Sequence, residues 1–262
     1  MEFLLECIGF SPKTDFVELK RRIRREGEPA PWRGPSGSHL KLDLAGGIEL
    51  FLDHEEGQDF ETLMPQCRVP HRLRVATEQL LPVPDSPFDA LLIGTANPLI
   101  EHQDSFDGQQ FPLSCFLTDR RRLPTKLPAG HILAVSIAGF ALDVSYSGPN
   151  EGVRDSGILE STRGAYLEPL GGVEDPGGCM DLSLRVREIL HVRNPVSGEL
   201  VEVIEADAPG RPLRLFISRW QLDTDGLPQP RPGWRIEGTF LLTGRIAGGL
   251  ARPRKKAQRA FG

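Results

Sequence analysis

Two stretches of this chain alternate apolar and polar residues in the same way. Leu73–Pro98 aligns without a gap on Leu184–Pro209 when it is shifted by 111 positions, and 7 of the 26 aligned pairs are identical. A period of two is typical of β-strands that bury one face. The pattern predicts a duplicated β-rich unit. The alternative is chance similarity between two stretches punctuated by proline.

Two further blocks extend the alignment. Residues 111–120 (FPLSCFLTDR) lie on 211–220 (RPLRLFISRW), and residues 127–140 lie more loosely on 231–242. Each copy therefore predicts five short strands. Five strands are enough to form a small closed or half-closed β-barrel, which removes exposed sheet edges.

The second copy, residues 181–247, resembles an OB-fold, the five-stranded barrel whose open face often binds oligonucleotides. It departs from that family between Trp220 and Trp234, where glycine and three prolines disfavour the helix that usually joins the third and fourth strands. An SH3-like barrel is therefore an alternative.

Residues 1–66 predict a βαββ unit. EFLLECIGF alternates like a strand, Asp15 predicts the N-cap of a helix over FVELKRRIRRE, and HLKLDLAGGIELFLDHE predicts a hairpin. A three-residue turn at 45–47 pairs Leu44 with Ile48 and keeps the leucines on one face. We expect the opposite face to be solvated, and it carries His39, Lys41, Asp43, Glu49, Phe51 and Asp53.

The βαββ order and the phrase GIELFLDHEEG resemble one module of the vicinal oxygen chelate family, which has the glyoxalase-like fold. The resemblance implies a metal or small-molecule pocket built from paired modules. His39, Glu49 and His54 are the candidate ligands, although the first strand offers only Glu6 and Cys7 where the family usually has a histidine. A solvated polar face is the favoured interpretation, because a metal needs three or four converging ligands.

Composition supports a β-rich α+β protein. The chain holds 28 glycines and 23 prolines, which favours short strands and turns over long helices. We therefore predict a βαββ unit at 1–66 and two related OB- or SH3-like barrels at 69–147 and 181–247. A glycine-rich linker at 148–180 joins the barrels, and a basic tail follows at 248–262.

Targeting and redox signals are few. No run of 18 apolar residues is present, so we expect no membrane-spanning helix, and the N-terminus lacks the basic region of a signal peptide. The four cysteines have no C-x-x-C spacing and predict reduced thiols. We expect a cytoplasmic protein.

Charge is distributed unevenly along the chain. Residues 181–262 carry 14 basic and 9 acidic residues, whereas residues 1–180 carry 17 basic and 27 acidic residues. A basic module on an acidic body indicates either an anionic partner or attraction between the two parts of the molecule.

The strand phase of LRLFISRW suggests where an anionic partner would bind. If Leu215 and its alternate neighbours point inward, Phe216 and Trp220 point outward beside arginines, and alternating cations and aromatic rings suit single-stranded nucleic acid. The alternative buries both rings in an inter-domain contact. The candidate residues are Arg214, Phe216, Trp220, Arg235, Arg245, Arg254, Lys255 and Lys256.

Sequence motifs for catalysis are missing. The chain contains no G-x-S-x-G, H-E-x-x-H or G-x-G-x-x-G pattern. We therefore expect a non-enzymatic binding protein without a cofactor, whose partner is single-stranded nucleic acid or another protein. A purely structural interaction module and a glyoxalase-like binding protein are the alternatives.

Overall fold

A computed structural model describes seven ranges of the chain, which are residues 3–33, 36–83, 86–98, 109–124, 127–148, 164–171 and 177–247. No helix within these ranges is long and apolar enough to span a membrane. The helices are α1 (Phe3–Glu6), α2 (Phe16–Glu26) and α3 (Arg219–Thr224).

Strands dominate the described residues, as the composition predicts, and form two sheets. The expectation of short strands is wrong for the large sheet, whose longest strand has 17 residues. The small sheet has the antiparallel order β1-β2-β3-β4, and the large sheet contains nine strands. The strands are β1 (Glu28–Pro29), β2 (Ser38–Asp43), β3 (Ile48–His54), β4 (Thr62–Cys67), β5 (Leu73–Val83), β6 (Ser86–Ala96), β7 (Phe111–Leu117), β8 (His131–Ser147), β9 (Tyr166–Pro169), β10 (Cys179–Arg193), β11 (Leu200–Asp207), β12 (Leu213–Ser218) and β13 (Arg235–Ile246).

The N-terminal unit begins with a helix, so the predicted first strand is wrong. Leu4, Leu5 and Ile8 are all fully buried around α1. Leu4, Leu5 and Ile8 lie on one face of a helix, because residues three and four apart are neighbours there. In a strand, Leu4 and Leu5 would point to opposite faces. The prediction for α2 is confirmed, because the Asp15 side chain accepts hydrogen bonds from the backbone of the first helical turn.

The β2–β3 hairpin has the predicted register. The Leu44 amide donates to the Ile48 carbonyl over 2.8 Å, and Leu42 lies opposite Leu50. Gly46 has a φ of 74°, the left-handed conformation that this turn requires and that glycine adopts without strain. The leucine face therefore points to one side, as the alternation predicts.

The strands of the large sheet form two closed circuits that share β8 and β13. The first circuit pairs β5, β6, β7, β13 and β8 in that order, with a parallel β7–β13 pairing. The second circuit pairs β10, β11, β12, β8 and β13, with a parallel β12–β8 pairing. Each circuit therefore needs one strand from the other half of the large sheet. Assignment to the OB or SH3 class stays a prediction.

Two apolar cores result from this arrangement. One contains residues of both circuits, such as Val75, Leu113 and Leu215. The other joins Ile8 and Leu50 of the N-terminal unit to residues on the outside of the second circuit. The N-terminal unit is thereby packed on the large sheet through a continuous apolar contact.

The segment after β12 contains α3, so the expectation that it cannot form a helix is wrong. Ser218 caps the helix, and the Gln221 side chain accepts a hydrogen bond from the Ser218 amide in a capping box. The helix ends before Gly226, and its Leu222 is buried. In the predicted linker, β9 pairs with β10.

Candidate interaction site

The polar face of the β2–β3 hairpin is buried except at Asp43, so its interpretation as a solvated surface is wrong. Arg33 is 2% exposed and donates to Asp53, with 2.6 Å between Nη2 and Oδ2. It also lies 3.6 Å from Asp89 in β6 and over the rings of Phe51 and Phe88. Burial raises the pKa of Asp89, against the effect of Arg33. Residues of β6 therefore cover this end of the small sheet.

The other end of the same face is centred on Glu49, which is also buried. Lys41 lies 3.4 Å from its carboxylate, the Arg68 Nε donates to it over 2.8 Å, and Arg245 of β13 donates from the far side. Although burial opposes ionisation, Lys41 and Arg68 keep the pKa of the neighbouring Asp43 below its ordinary value. Arg245, a predicted nucleic-acid contact, is thus engaged inside the molecule.

The three metal candidates do not converge. His39 contacts Asp53 through Nδ1 at 2.9 Å and the Ser36 carbonyl through Nε2 at 2.8 Å. His54 contacts a nearby backbone carbonyl, and Glu49 lies four residues from Asp53 along β3, about 13 Å away. Within the described ranges, no group of three or more His, Cys, Asp and Glu side chains could hold a metal ion.

The predicted outward face of β12 is not outward. Phe216 is 0% exposed and stacks on Phe140 of β8 with 5.5 Å between ring centroids, as the alternative of an inter-domain contact predicts. Trp220 lies in α3 and is half-buried. Arg235 is buried and donates to the hydroxyl and carbonyl of Ser183. These residues do not form one exposed surface.

Among the described candidates, Arg214 lies beside a surface groove. Its Nε and Nη2 donate to Oε1 of Glu205 over 2.7 and 2.6 Å, so the two charges neutralise each other. The remaining candidates, Arg254, Lys255 and Lys256, lie outside the described residues.

We call β10 and β11 the second hairpin, and its outer face carries this groove of about 300 Å³. Pro70 and His71, which connect the two sheets, form one wall. Leu190 is 53% exposed at the groove, and the buried Val203 also lines it. The groove therefore combines apolar residues with several ionisable side chains at the junction of the two sheets.

Some charged side chains of the groove form ion pairs within the molecule, and others do not. His71 Nε2 lies 3.5 Å from Glu205, which also holds Arg214. Arg187 and Glu188 are exposed, and neither has an ion-pair partner in the part of the chain that the structure describes. Arg187 lies at a β-bulge, where the register between β10 and β11 shifts by one residue. It therefore has no paired residue in β11.

The corresponding surface of β5 and β6, the first hairpin, carries a groove of about 260 Å³. The first hairpin also has a register shift, at Glu78, as the second has at Arg187. The lining there includes Ile93, Phe111 and Leu113, and Glu78 is the one ionisable side chain among its described residues. The two hairpins thus share a bulged backbone but differ in charge.

One edge of β10 is open. β13 pairs with β10 up to Arg185, and Gly233 and Trp234 bond the backbone of Val186. From residue 187 to residue 193, β10 pairs with β11 on one side and with no described strand on the other. Most residues of this stretch are exposed.

Sequence reasoning missed Arg33 and Leu190. Arg33 lies in a short helical turn without any periodic pattern, so nothing marks it as buried. Leu190 belongs to the alternating segment LRVREILHVR, and only the unexpected bulge and the end of β13 pairing leave it exposed. Comparisons of the chain with protein-family models, curated proteins and solved structures gave no match.

Proposed function

We propose that this chain is a non-enzymatic interaction protein that binds an acidic segment of another protein at the groove of the second hairpin. The observation that carries this proposal is the exposed Leu190 in a groove that it shares with Arg187, which has no ion pair among the described residues. Arginine is enriched at protein interfaces, and the centre of an interface is more apolar than its rim.

Charge defines the kind of partner. Along the open part of β10, Arg187 and Arg193 are exposed cations without an ion pair among the described residues. Glu188 is the one acidic residue of this stretch, and it is also exposed. Arg214 and Glu205 cancel each other. The excess of positive charge favours an acidic segment and would accelerate its association at low salt.

The groove suits a protein segment better than a nucleic acid. Phe216, the ring expected to stack on bases, is buried against Phe140. The nucleic-acid hypothesis stays a prediction, with part of its candidate residues outside the described ranges.

A designed peptide tests the proposal in the full chain. Fluorescently labelled, capped Glu-Glu-Val-Val-Val-Glu-Glu should bind the protein, measured by anisotropy, and its lysine counterpart should not. Leu190→Glu should weaken binding at least about tenfold, because it removes the apolar contact and adds repulsion. Leu81→Glu is the matched control, since Leu81 is an exposed leucine of the first hairpin.

Equal binding of the acidic peptide to the wild type and Leu190→Glu would contradict the proposal, as would the absence of binding. A labelled single-stranded oligonucleotide measured in parallel tests the alternative. Oligonucleotide binding that is lost in Leu190→Glu, without binding of the acidic peptide, would assign this surface to nucleic acid.

A further inference from the structure

We infer that the partner binds as an added β-strand along the open edge of β10, between residues 187 and 193. This inference rests on the proposed function and specifies how the acidic segment is held. Extended peptides bind exposed sheet edges through backbone hydrogen bonds, while alternate side chains give specificity.

The backbone of β10 provides the first argument. A strand with one partner presents a row of amide and carbonyl groups on its other side that are free to bond a second strand. In β10 this row begins after Val186, which is bonded to Gly233 and Trp234, and extends to Arg193. Seven residues span about 23 Å, enough for a strand of ordinary length.

The first hairpin provides the second argument because its equivalent edge is blunted. β8 pairs with β5 up to Thr77, which leaves the following residues of β5 without a described strand on that side. There, Pro82 lacks an amide hydrogen, and a second register shift follows it directly. Proline and bulges are common means of protecting an edge strand from pairing. The open edge of β10 contains no proline, and its one register shift lies at Arg187, where the open part begins.

Side chains provide the third argument and define the partner. Arg187, Glu188 and Leu190 are exposed on this stretch of β10, so a strand on this edge places its side chains beside them. Arg193 is exposed at the far end. Opposite charges facing each other across strands stabilise pairing, and like charges destabilise it. The fitting segment therefore has a short apolar centre with acidic residues on both sides.

Amide exchange measured by NMR on the isotopically labelled full chain tests this mode. Saturation with Glu-Glu-Val-Val-Val-Glu-Glu should slow exchange at alternate amides between Arg187 and Arg193, because only every second residue directs its amide to the open edge. Amides of β5 from Glu78 to Val83 are the internal control and should not change. The lysine peptide should leave both edges unchanged.

The outcomes separate the two proposals. Peptide binding that depends on Leu190 but leaves these β10 amides unprotected would overturn strand addition while retaining the proposed function. Uniform slowing over the whole second hairpin would also overturn it, since this indicates general stabilisation. Absence of binding would overturn both.

A modified peptide provides an independent check. N-methylation of all the peptide's amides removes its donors and should abolish binding, while its charges and side chains are preserved. Undiminished binding of the methylated peptide would contradict pairing along the edge.

Discussion

Both hairpins of the large sheet are antiparallel and contain a register shift, but their surroundings differ. In the first hairpin, Asp89 is 4% exposed and lies beneath Arg33 of the N-terminal unit. In the second, Leu190 is 53% exposed, and the neighbouring edge pairs with no described strand. Similar hairpins of one sheet can therefore be covered by another part of the chain or left exposed, and only the packing around them decides which.

The carboxylates of the two hairpins extend the comparison. Asp89 in β6 depends on a residue from another part of the chain, whereas Glu202 in β11 pairs with His191 on the adjacent strand. Burial raises the pKa of both. The first hairpin is thus coupled to the N-terminal unit, and the charge of the second is balanced locally.

The largest effect is expected from Phe216→Ala. Because Phe216 is fully buried against Phe140, the truncation should lower the free energy of unfolding by about 3–5 kcal/mol. Phe116→Ala, in the corresponding strand of the first circuit, should cost less because Phe116 is only partly buried. Chemical denaturation measures both, and an effect below that of Phe116→Ala would contradict the burial of Phe216.

Arg33→Met should have a similarly large effect, lowering the free energy of unfolding by about 3–5 kcal/mol, because Asp53 and Asp89 would remain buried without their cation. Arg187→Met is the control from the second hairpin. It should change stability by no more than about 0.5 kcal/mol, because Arg187 is exposed and unpaired among the described residues. Equal effects of the two substitutions would remove the distinction between the hairpins.

A smaller effect concerns pH. The pKa of Glu202 is raised above 4.5 by burial, against the effect of His191, so the folded state binds this proton more tightly than the unfolded state does. The wild type should therefore gain stability relative to Glu202→Gln as pH falls from neutral towards about 4.5. The gain is about 1.4 kcal/mol for each tenfold difference in proton affinity between the folded and unfolded states.

Thermal or chemical unfolding across this pH range measures the difference between the two proteins. In a His191→Gln background, this difference should depend more strongly on pH, because the interaction that lowers the pKa of Glu202 is removed. If the difference in unfolding free energy between the wild type and Glu202→Gln stayed constant with pH, burial would not be destabilising the ionised carboxylate of Glu202.

The smallest effect on stability is expected for Leu190→Glu, at about 0.5 kcal/mol or less, because more than half of the side chain is exposed. Leu81→Glu should behave alike in the first hairpin. Denaturation curves that superpose on the wild type would establish that any loss of peptide binding comes from the surface itself. A loss of several kcal/mol would place Leu190 in the core.

Local patterns in the sequence predicted much of the secondary structure. Alternation located the β2–β3 hairpin with its three-residue turn, and Asp15 located the start of α2. The same reasoning failed at α1, where a short apolar run fits either a strand or a helix. It also failed at α3, because a six-residue helix fits between Ser218 and the glycine and prolines that were expected to prevent it.

The candidate site was predicted only in part. The basic character of residues 181–262 pointed to an anionic partner, and Arg214 lies beside the groove on which our proposal rests. The alternation in β12 assigned Phe216 to the face opposite Leu215, and we expected that face to be exposed. A period of two distinguishes the two faces of a strand but does not show whether another element covers either of them. Packing of the N-terminal unit buries that face.

The sequence alone determined the β-rich character, the alternating faces and the charge asymmetry, because these depend on residue type and near neighbours. The tertiary structure decided which polar groups are buried and which strand edge is open. Arg33 and Asp89 are 56 positions apart in the sequence. The open edge of β10 exists because β13 pairs only with its first part. Such contacts between distant segments leave no periodic signal, so only the folded chain reveals them.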